Sequence, residues 1–167
     1  MKKILFVCHG NICRSPMGEF IMKDMAVKAG RSVLGVNCDS KDAADFEIAS
    51  AATSFEEIGN PVYPPAKRKL AENGIGVSGN ELGVSKKRAR RVTQEDYGYY
   101  DIIICMDHNN LRNIGRIIGE DKDAKISLML DYTERAGQEV ADPWYTGNFD
   151  ATWRDVTEGC EALLATL

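Results

Sequence analysis

Two apolar runs, Ile4-Leu5-Phe6-Val7 and Ile102-Ile103-Ile104, carry no polar residue at alternate positions. A strand with one face in water alternates, whereas a strand covered on both faces does not. Buried strands of this kind belong to parallel sheets, whose returns need crossovers long enough to hold a helix. The intervening stretches supply them. Ser15-Pro16 offers an N-cap followed by proline at the first helical position, and Met17, Phe20, Ile21 and Met25 recur at helical spacing until Gly30. Residues 31–45 read mostly as loop, with a second strand over Phe46 to Ser50. Pro61 to Pro65 punctuate a linker before a helix over Ala66 to Glu72, stopped at Asn73-Gly74. Thr93-Gln94-Glu95-Asp96 resembles a capping box, and Asp101 to Met106 forms the third strand, ended by Asp107. Leu111, Ile114, Ile117 and Ile118 mark a short helix closed by Gly119, and Lys125 to Leu130 supplies a fourth strand before a long loop. From Phe149, the residues Trp153, Val156, Cys160, Leu163, Leu164 and Leu167 trace one helical face. The pattern predicts an α/β fold in one domain, residues 1–167, with a four-stranded parallel sheet, helices on both faces and a phosphate-binding loop after strand one.

At 167 residues the chain can bury a core without covalent staples. Its five cysteines, Cys8, Cys13, Cys38, Cys105 and Cys160, are odd in number and contain no C-x-x-C pair, and the only histidines are His9 and His108. That pattern predicts neither a disulfide framework nor a metal site, and no cofactor. Lysine and arginine number 21 against 25 aspartates and glutamates, a net charge of −4, so nothing global draws the chain to nucleic acid or an anionic membrane. The apolar run after Lys2-Lys3 is shorter than a secretory core, and no stretch approaches the ~20 residues of a membrane span. A cytoplasmic monomer is expected.

The chemistry concentrates in Cys8-His9-Gly10-Asn11-Ile12-Cys13-Arg14-Ser15, a C-x5-R-S segment between the first strand and the first helix. Five residues are few enough to curl so that successive backbone N–H groups point inward as an anion nest, backed by the positive end of the helix. Gly10 is expected to permit the curvature. The Arg14 guanidinium can close the ring on two oxygens of a tetrahedral oxyanion, a fork that lysine lacks. Phosphate is the expected ligand. At the centre, Cys8 would be a thiolate stabilised by amides, dipole and Arg14, placed for in-line attack on a cradled phosphoryl group. Ser15 either donates to that sulfur or only caps the helix.

Expelling an alkoxide or phenoxide needs a proton donor that reaches the phosphate from outside the loop. Asp142-Pro143-Trp144-Tyr145, in the long loop on the same edge of the sheet, is the best candidate, and its aromatics can wall a slot for an aromatic leaving group.

These residues resemble the low-molecular-weight protein tyrosine phosphatases over most of the chain. Four segments carry the likeness: Val7 to Pro16, Ser50-Ala-Ala-Thr-Ser54 with Ile58-Gly-Asn-Pro61, Cys105-Met-Asp107 with Asn110-Leu-Arg112, and Asp142 to Tyr145. The resemblance implies Cys8 as nucleophile, Arg14 as phosphate and transition-state binder, and Asp142 as general acid and then base. It implies that Asn11, Ser15 and Ser50 hold the loop, that Ile12, Phe55, Trp144 and Tyr145 line the substrate slot, and that His9, Gly10 and Cys13 belong to the loop that binds the phosphate. The expected substrate is phosphotyrosine in a protein, or a small aryl phosphate. Related phosphoarginine enzymes hold a threonine where this chain has Ile12, and arsenate reductases with a similar loop carry a C-terminal cysteine pair that Cys160 alone cannot supply. Extra loop length around Val36 to Asp45 and Ser78 to Val84 departs from the family pattern, as does Thr146 between Tyr145 and Gly147 in a region that shapes the pocket rim.

Other features admit blander readings. Cys13 is either a redox partner for Cys8 or a packed thiol, and Cys105 and Cys160 read as core residues. His9 is expected to point outward, and His108 to start a helix. Gly74 to Gly79 matches G-x-G-x-x-G but follows a polar helix, not a strand, so the dinucleotide context is missing. Lys86, Lys87, Arg88, Arg90 and Arg91 form either a docking patch for acidic partners or, by preference, a solvated face. Two rival classes share the loop: a phosphoryl-carrier domain, which would not need Arg14 or Asp142, and a catalytically silent phosphate-binding module.

Overall fold

Along the first strand, β1 (Lys2–Cys8), Ile4, Phe6 and Cys8 enter one hydrophobic core while Leu5 and Val7 enter another, the alternation that a pleated strand imposes. Both sets are buried because the strand is central. The computed structural model describes residues 1–167, with β1 joined by β2 (Phe46–Ala52), β3 (Ile102–Cys105) and β4 (Ile126–Leu128) in the order β2-β1-β3-β4, all parallel. Helices cover both faces, as the apolar runs require. On one side lie α1 (Arg14–Lys28), α2 (Pro64–Glu72) and α6 (Phe149–Ala165), contributing Phe20, Leu70 and Val156 among others. On the other lie α3 (Gln94–Tyr99) and α4 (His108–Ile118), with Tyr100 and Ile114 buried against Leu5 and Val7. The single turn α5 (Pro143–Thr146) sits within the long loop. α1 lies so close to β1 that a Cβ on Gly18 would come within 2.7 Å of the Phe6 ring, which is why a glycine occupies a helix interior at some cost in propensity.

Three local expectations change. α1 begins at Arg14, with Cys13 at its N-cap and no side-chain cap, so Ser15 and Pro16 are the second and third helical residues. Proline is tolerated there because its missing N–H is one of the four that a helix start leaves unpaired anyway. Ser15 is thereby freed from capping. The fourth strand stops at Leu128, where Asp131 accepts the Leu128 N–H at 2.8 Å and turns the chain into a 3-10 turn over Met129–Tyr132. β2 runs two residues beyond Ser50, to Ala52.

Candidate active site

Crossovers leave β1 toward β2 on one side and return past it to β3 on the other, so the loops after β1 and β3 part and open a crevice between them. Cys8 ends β1 there. Its sulfur lies 3.3 Å from the Asn11 backbone nitrogen, 3.4 Å from that of Ser15 and 3.0 Å from the Ser15 hydroxyl. The Asn11 amide belongs to the loop and the Ser15 amide to the first turn of α1, whose N–H groups have no intrahelical partner and favour negative charge. The Ser15 oxygen already accepts a hydrogen bond from Asn11 Nδ2 at 2.8 Å, and its proton has the sulfur at 3.0 Å and the Ala51 carbonyl at 3.5 Å as acceptors.

Asn11, not Gly10, takes the left-handed conformation that curls the loop, with φ of +58°. Gly10 has an ordinary φ and is kept small for another reason: a Cβ there would sit 3.3 Å from Glu57 Cγ. The buried Asn11 amide also donates to Ser50 Oγ at 2.9 Å and accepts from the Arg90 backbone N–H at 3.2 Å. Ser50 in turn donates to Glu19 at 2.5 Å. Asparagine suits both demands, since it tolerates the left-handed region and brings donor and acceptor together. Asn11→Gly therefore keeps the turn but orphans buried polar groups, costing about 1–3 kcal/mol, and Asn11→Ala adds about 1–2 kcal/mol of backbone strain. Urea unfolding of the two variants checks the order; an alanine variant as stable as the glycine one would contradict it.

Arg14 is almost fully enclosed, its side chain 3% exposed. Nη1 donates to Asp107 Oδ2 at 2.7 Å and to the Val140 carbonyl at 2.9 Å, while Nη2 reaches Asp142 Oδ2 at 3.4 Å. Burial works against the guanidinium, but the negative Cys8, the Asp107 hydrogen bond and Asp142 outweigh it and raise its pKa. Asp107 serves two elements at once: Oδ2 holds Arg14, and Oδ1 accepts the Asn110 N–H at 2.7 Å to cap α4. The loop after β4 is pinned to the end of β3 where the Val140 N–H donates to the Met106 carbonyl. That anchor delivers Asp142 two residues later, and the Trp144 N–H donates to Asp142 Oδ1 at 3.1 Å.

Cys8, His9, Gly10, Ile12, Cys13, Arg14, Asp142, Trp144 and Tyr145 line one cleft of about 570 Å3, its open mouth included. Trp144 is braced from behind by Tyr63, ring centroids 4.9 Å apart, and the Tyr63 N–H donates to the Ile12 carbonyl. His9 does turn outward, its Nε2 2.9 Å from Glu56 Oε2. Phe55 does not reach the cleft. It is 69% exposed, beneath the Arg91 guanidinium at 4.1 Å, and Glu56 and Glu57 take the lining position. Asn11, Ser15 and Ser50 stand behind the cleft as the network described above.

Residues 3–167 match the family described as low molecular weight phosphotyrosine protein phosphatase. The chain belongs to that family. It is 37% identical to the low molecular weight protein-tyrosine-phosphatase YfkJ of Bacillus subtilis, over 100% of this chain and 96% of the relative. The crystal structure of YfkJ superposes with a TM-score of 0.80 at 35% identity, covering 99% of this chain and 94% of that one. The low molecular weight protein tyrosine phosphatase of Streptococcus pyogenes gives 0.77 at 35% identity, over 100% of this chain and 93% of that one.

Other residues of this phosphatase-family site take their roles from the tertiary fold. Asp107 reads locally as a strand end, and only the fold brings it to Arg14. The basic run is not a solvated face throughout. Lys87 donates to the Ser50 carbonyl at 2.9 Å and lies 3.6 Å from Glu19, and Arg90 forks onto Asp96. Burial lowers the Lys87 pKa against the pull of Glu19. The strand-like contact of Arg91 with Ala52 ties this segment beside β2, so its inner cations brace the loop while Lys86 and Arg88 remain exposed. Cys105 and Cys160 are core thiols, raised in pKa by burial. No group of three or more His, Cys, Asp or Glu side chains is arranged to hold a metal ion.

Proposed function

We propose that residues 1–167 act as one metal-independent protein tyrosine phosphatase that hydrolyses aryl phosphate monoesters through a cysteinyl-phosphate. The observation that carries this reading is the Cys8 sulfur, met by the Asn11 N–H of the loop and by the N–H and hydroxyl of Ser15 in the first turn of α1, in one cleft with Arg14 and Asp142. The Cys8 thiolate attacks phosphorus in line, the P–O bond to the leaving group breaks, and Asp142 supplies the proton to that oxygen. A phosphoryl oxygen displaces the 3.4 Å contact between Arg14 Nη2 and Asp142, while the tight bond to Asp107 keeps the guanidinium aimed. In the second step Asp142 takes a proton from water, water attacks phosphorus, and the S–P bond breaks with Ser15 donating to the departing sulfur. Ile12, Trp144 and Tyr145 supply apolar surface for an aromatic group, which favours phosphotyrosine over phosphoserine.

Hydrolysis of phosphotyrosine, phosphoserine and phosphoarginine, measured side by side with chelator present, tests it. Selective turnover of phosphotyrosine is expected; preference for phosphoarginine would overturn the substrate assignment. Turnover of none would return weight to a phosphate-binding module.

A redox role for Cys13 and a monomeric, cytoplasmic protein complete the proposal. Five free thiols suit a reducing compartment, and no helix is long and apolar enough to cross a membrane. Cys8 and Cys13 both line the cleft, and burial, then the charge of Cys8, raises the Cys13 pKa so that it waits as a thiol. Peroxide converts Cys8 to a sulfenic acid with loss of water, and Cys13 displaces the second oxygen as water to leave a disulfide. Dithiol should then restore peroxide-treated wild type more fully than Cys13→Ser. Equal recovery would remove the role.

A further inference from the structure

The loop after β2, the strand beside β1, and the long loop after β4, pinned to Met106 past the end of β3, both reach the Cys8 loop. They bring unlike chemistry to the cleft. From the β4 side come Trp144 and Tyr145, and from the β2 side come two carboxylates, Glu56 and Glu57. Both carboxylates are at the surface and each has a hydrogen-bond partner. Glu56 Oε2 is held by His9 at 2.9 Å, and Glu57 Oε2 accepts from Asn60 Nδ2 at 2.5 Å. The Glu57 stem lies over Gly10, and the turn is clamped by the Glu57 carbonyl accepting from Asn60 N–H and the Asn60 carbonyl from Ala89 N–H. Two negative charges are thus fixed at the mouth of a site that takes up a phosphate dianion. His9 offsets one of them only when protonated. Arg14 is committed to Asp107 and the cleft floor, and the Arg91 guanidinium lies over the Phe55 ring, 4.1 Å from its centre.

We propose that Glu56 and Glu57 are specificity-determining residues that select phosphotyrosines flanked by lysine or arginine. The inference rests on the phosphatase reading above and names the substrate class of the same cleft. A basic neighbour of the phosphotyrosine meets the carboxylate wall while the ring lies against Trp144 and Tyr145. An acidic neighbour places like charges together at the rim, which costs affinity and slows encounter. Because the pairs are solvent-exposed, with the Glu56 side chain 69% exposed, each contributes modestly and is screened by salt.

The test is kcat/KM on phosphotyrosine peptides that differ only in having lysine, arginine, alanine or glutamate on both sides of the phosphorylated residue. At low salt the basic peptides should exceed the acidic ones by about tenfold, with alanine between, and the span should shrink in ~1 M salt. Glu56→Gln with Glu57→Gln should collapse the span to about twofold or less, and Glu56→Lys with Glu57→Lys should invert the order. A flat wild-type series, or a span unchanged in the double glutamine variant, would overturn the proposal. Phenyl phosphate, which has no flanking residues, separates the two levels: if wild type hydrolyses it and the peptide series is flat, only the selectivity fails. If wild type does not hydrolyse it, the phosphatase reading fails first.

Discussion

Cys8→Ser lowers kcat on aryl phosphates by about six orders of magnitude, the scale seen when a covalent nucleophile is removed. The size follows from what surrounds the sulfur. Its neighbours are the Asn11 and Ser15 N–H groups and the Ser15 hydroxyl, all of which donate. They favour negative charge on the atom they surround and offer no base to take a proton from it. A thiol ionises readily enough for that arrangement to suffice, whereas a serine hydroxyl keeps its proton. The same donors and Arg14 remain able to hold an oxyanion, so the variant should still bind inorganic phosphate. Phenol release with chelator, alongside calorimetric titration with phosphate, measures both properties. Residual hydrolysis near one hundredth of wild type would remove Cys8 from the nucleophile role, and loss of phosphate binding would show that the loop itself had changed.

Asp142→Ala slows release of a phenol as weakly acidic as tyrosine, pKa ~10, by about 10²–10⁴-fold, the usual contribution of a positioned proton donor. Strongly acidic nitrophenols leave without help, so their loss should be much smaller. The dependence on leaving group is the decisive feature, because Asp142 also touches Arg14 at 3.4 Å and Trp144 at 3.1 Å. Merely loosening those partners would slow every substrate alike. Arg14 keeps its Asp107 and Val140 contacts in the variant, which preserves the phosphate site. A series of aryl phosphates spanning phenol acidity distinguishes the cases; equal losses across the series would exclude Asp142 as the general acid.

The layered architecture was legible because its signals are local. Ile4 to Val7 and Ile102 to Ile104 show two-sided burial directly in their composition, and the helical spacing of Met17, Phe20 and Ile21 needs no distant partner. The C-x5-R-S segment is legible for the same reason: nucleophile, nest and arginine lie within eight consecutive residues. Local reading also left details open or misplaced them wherever a distant partner decided them. For Ser15 two roles stood open, helix cap or donor to the sulfur, and its hydroxyl lies at the Cys8 sulfur and Asn11 with no capping bond. Gly10 looked like the turning residue, yet the backbone turns at Asn11, where Ser50 and Arg90 complete the hydrogen bonds of the amide. The family resemblance implied Phe55 as a wall of the slot, yet it lies under Arg91, outside the cleft.

By itself the sequence determined the α/β class and the position of the phosphate loop, because periodicity and the close spacing of Cys8 and Arg14 act within single elements. Only the tertiary structure decided how that loop is held and what surrounds it. Arg14 is aimed by Asp107, 93 residues away, and by the carbonyl of Val140, 126 residues away. Lys87 and Glu19 meet behind Ser50 from separate segments, and Glu56 and Glu57 reach the rim because β2 is the edge strand beside β1. Each of these contacts is made by residues whose chain neighbours give no sign of the partner. Parallel strands bring the ends of distant loops to one edge, and hydrogen bonds between those loops form only once the sheet has set their spacing.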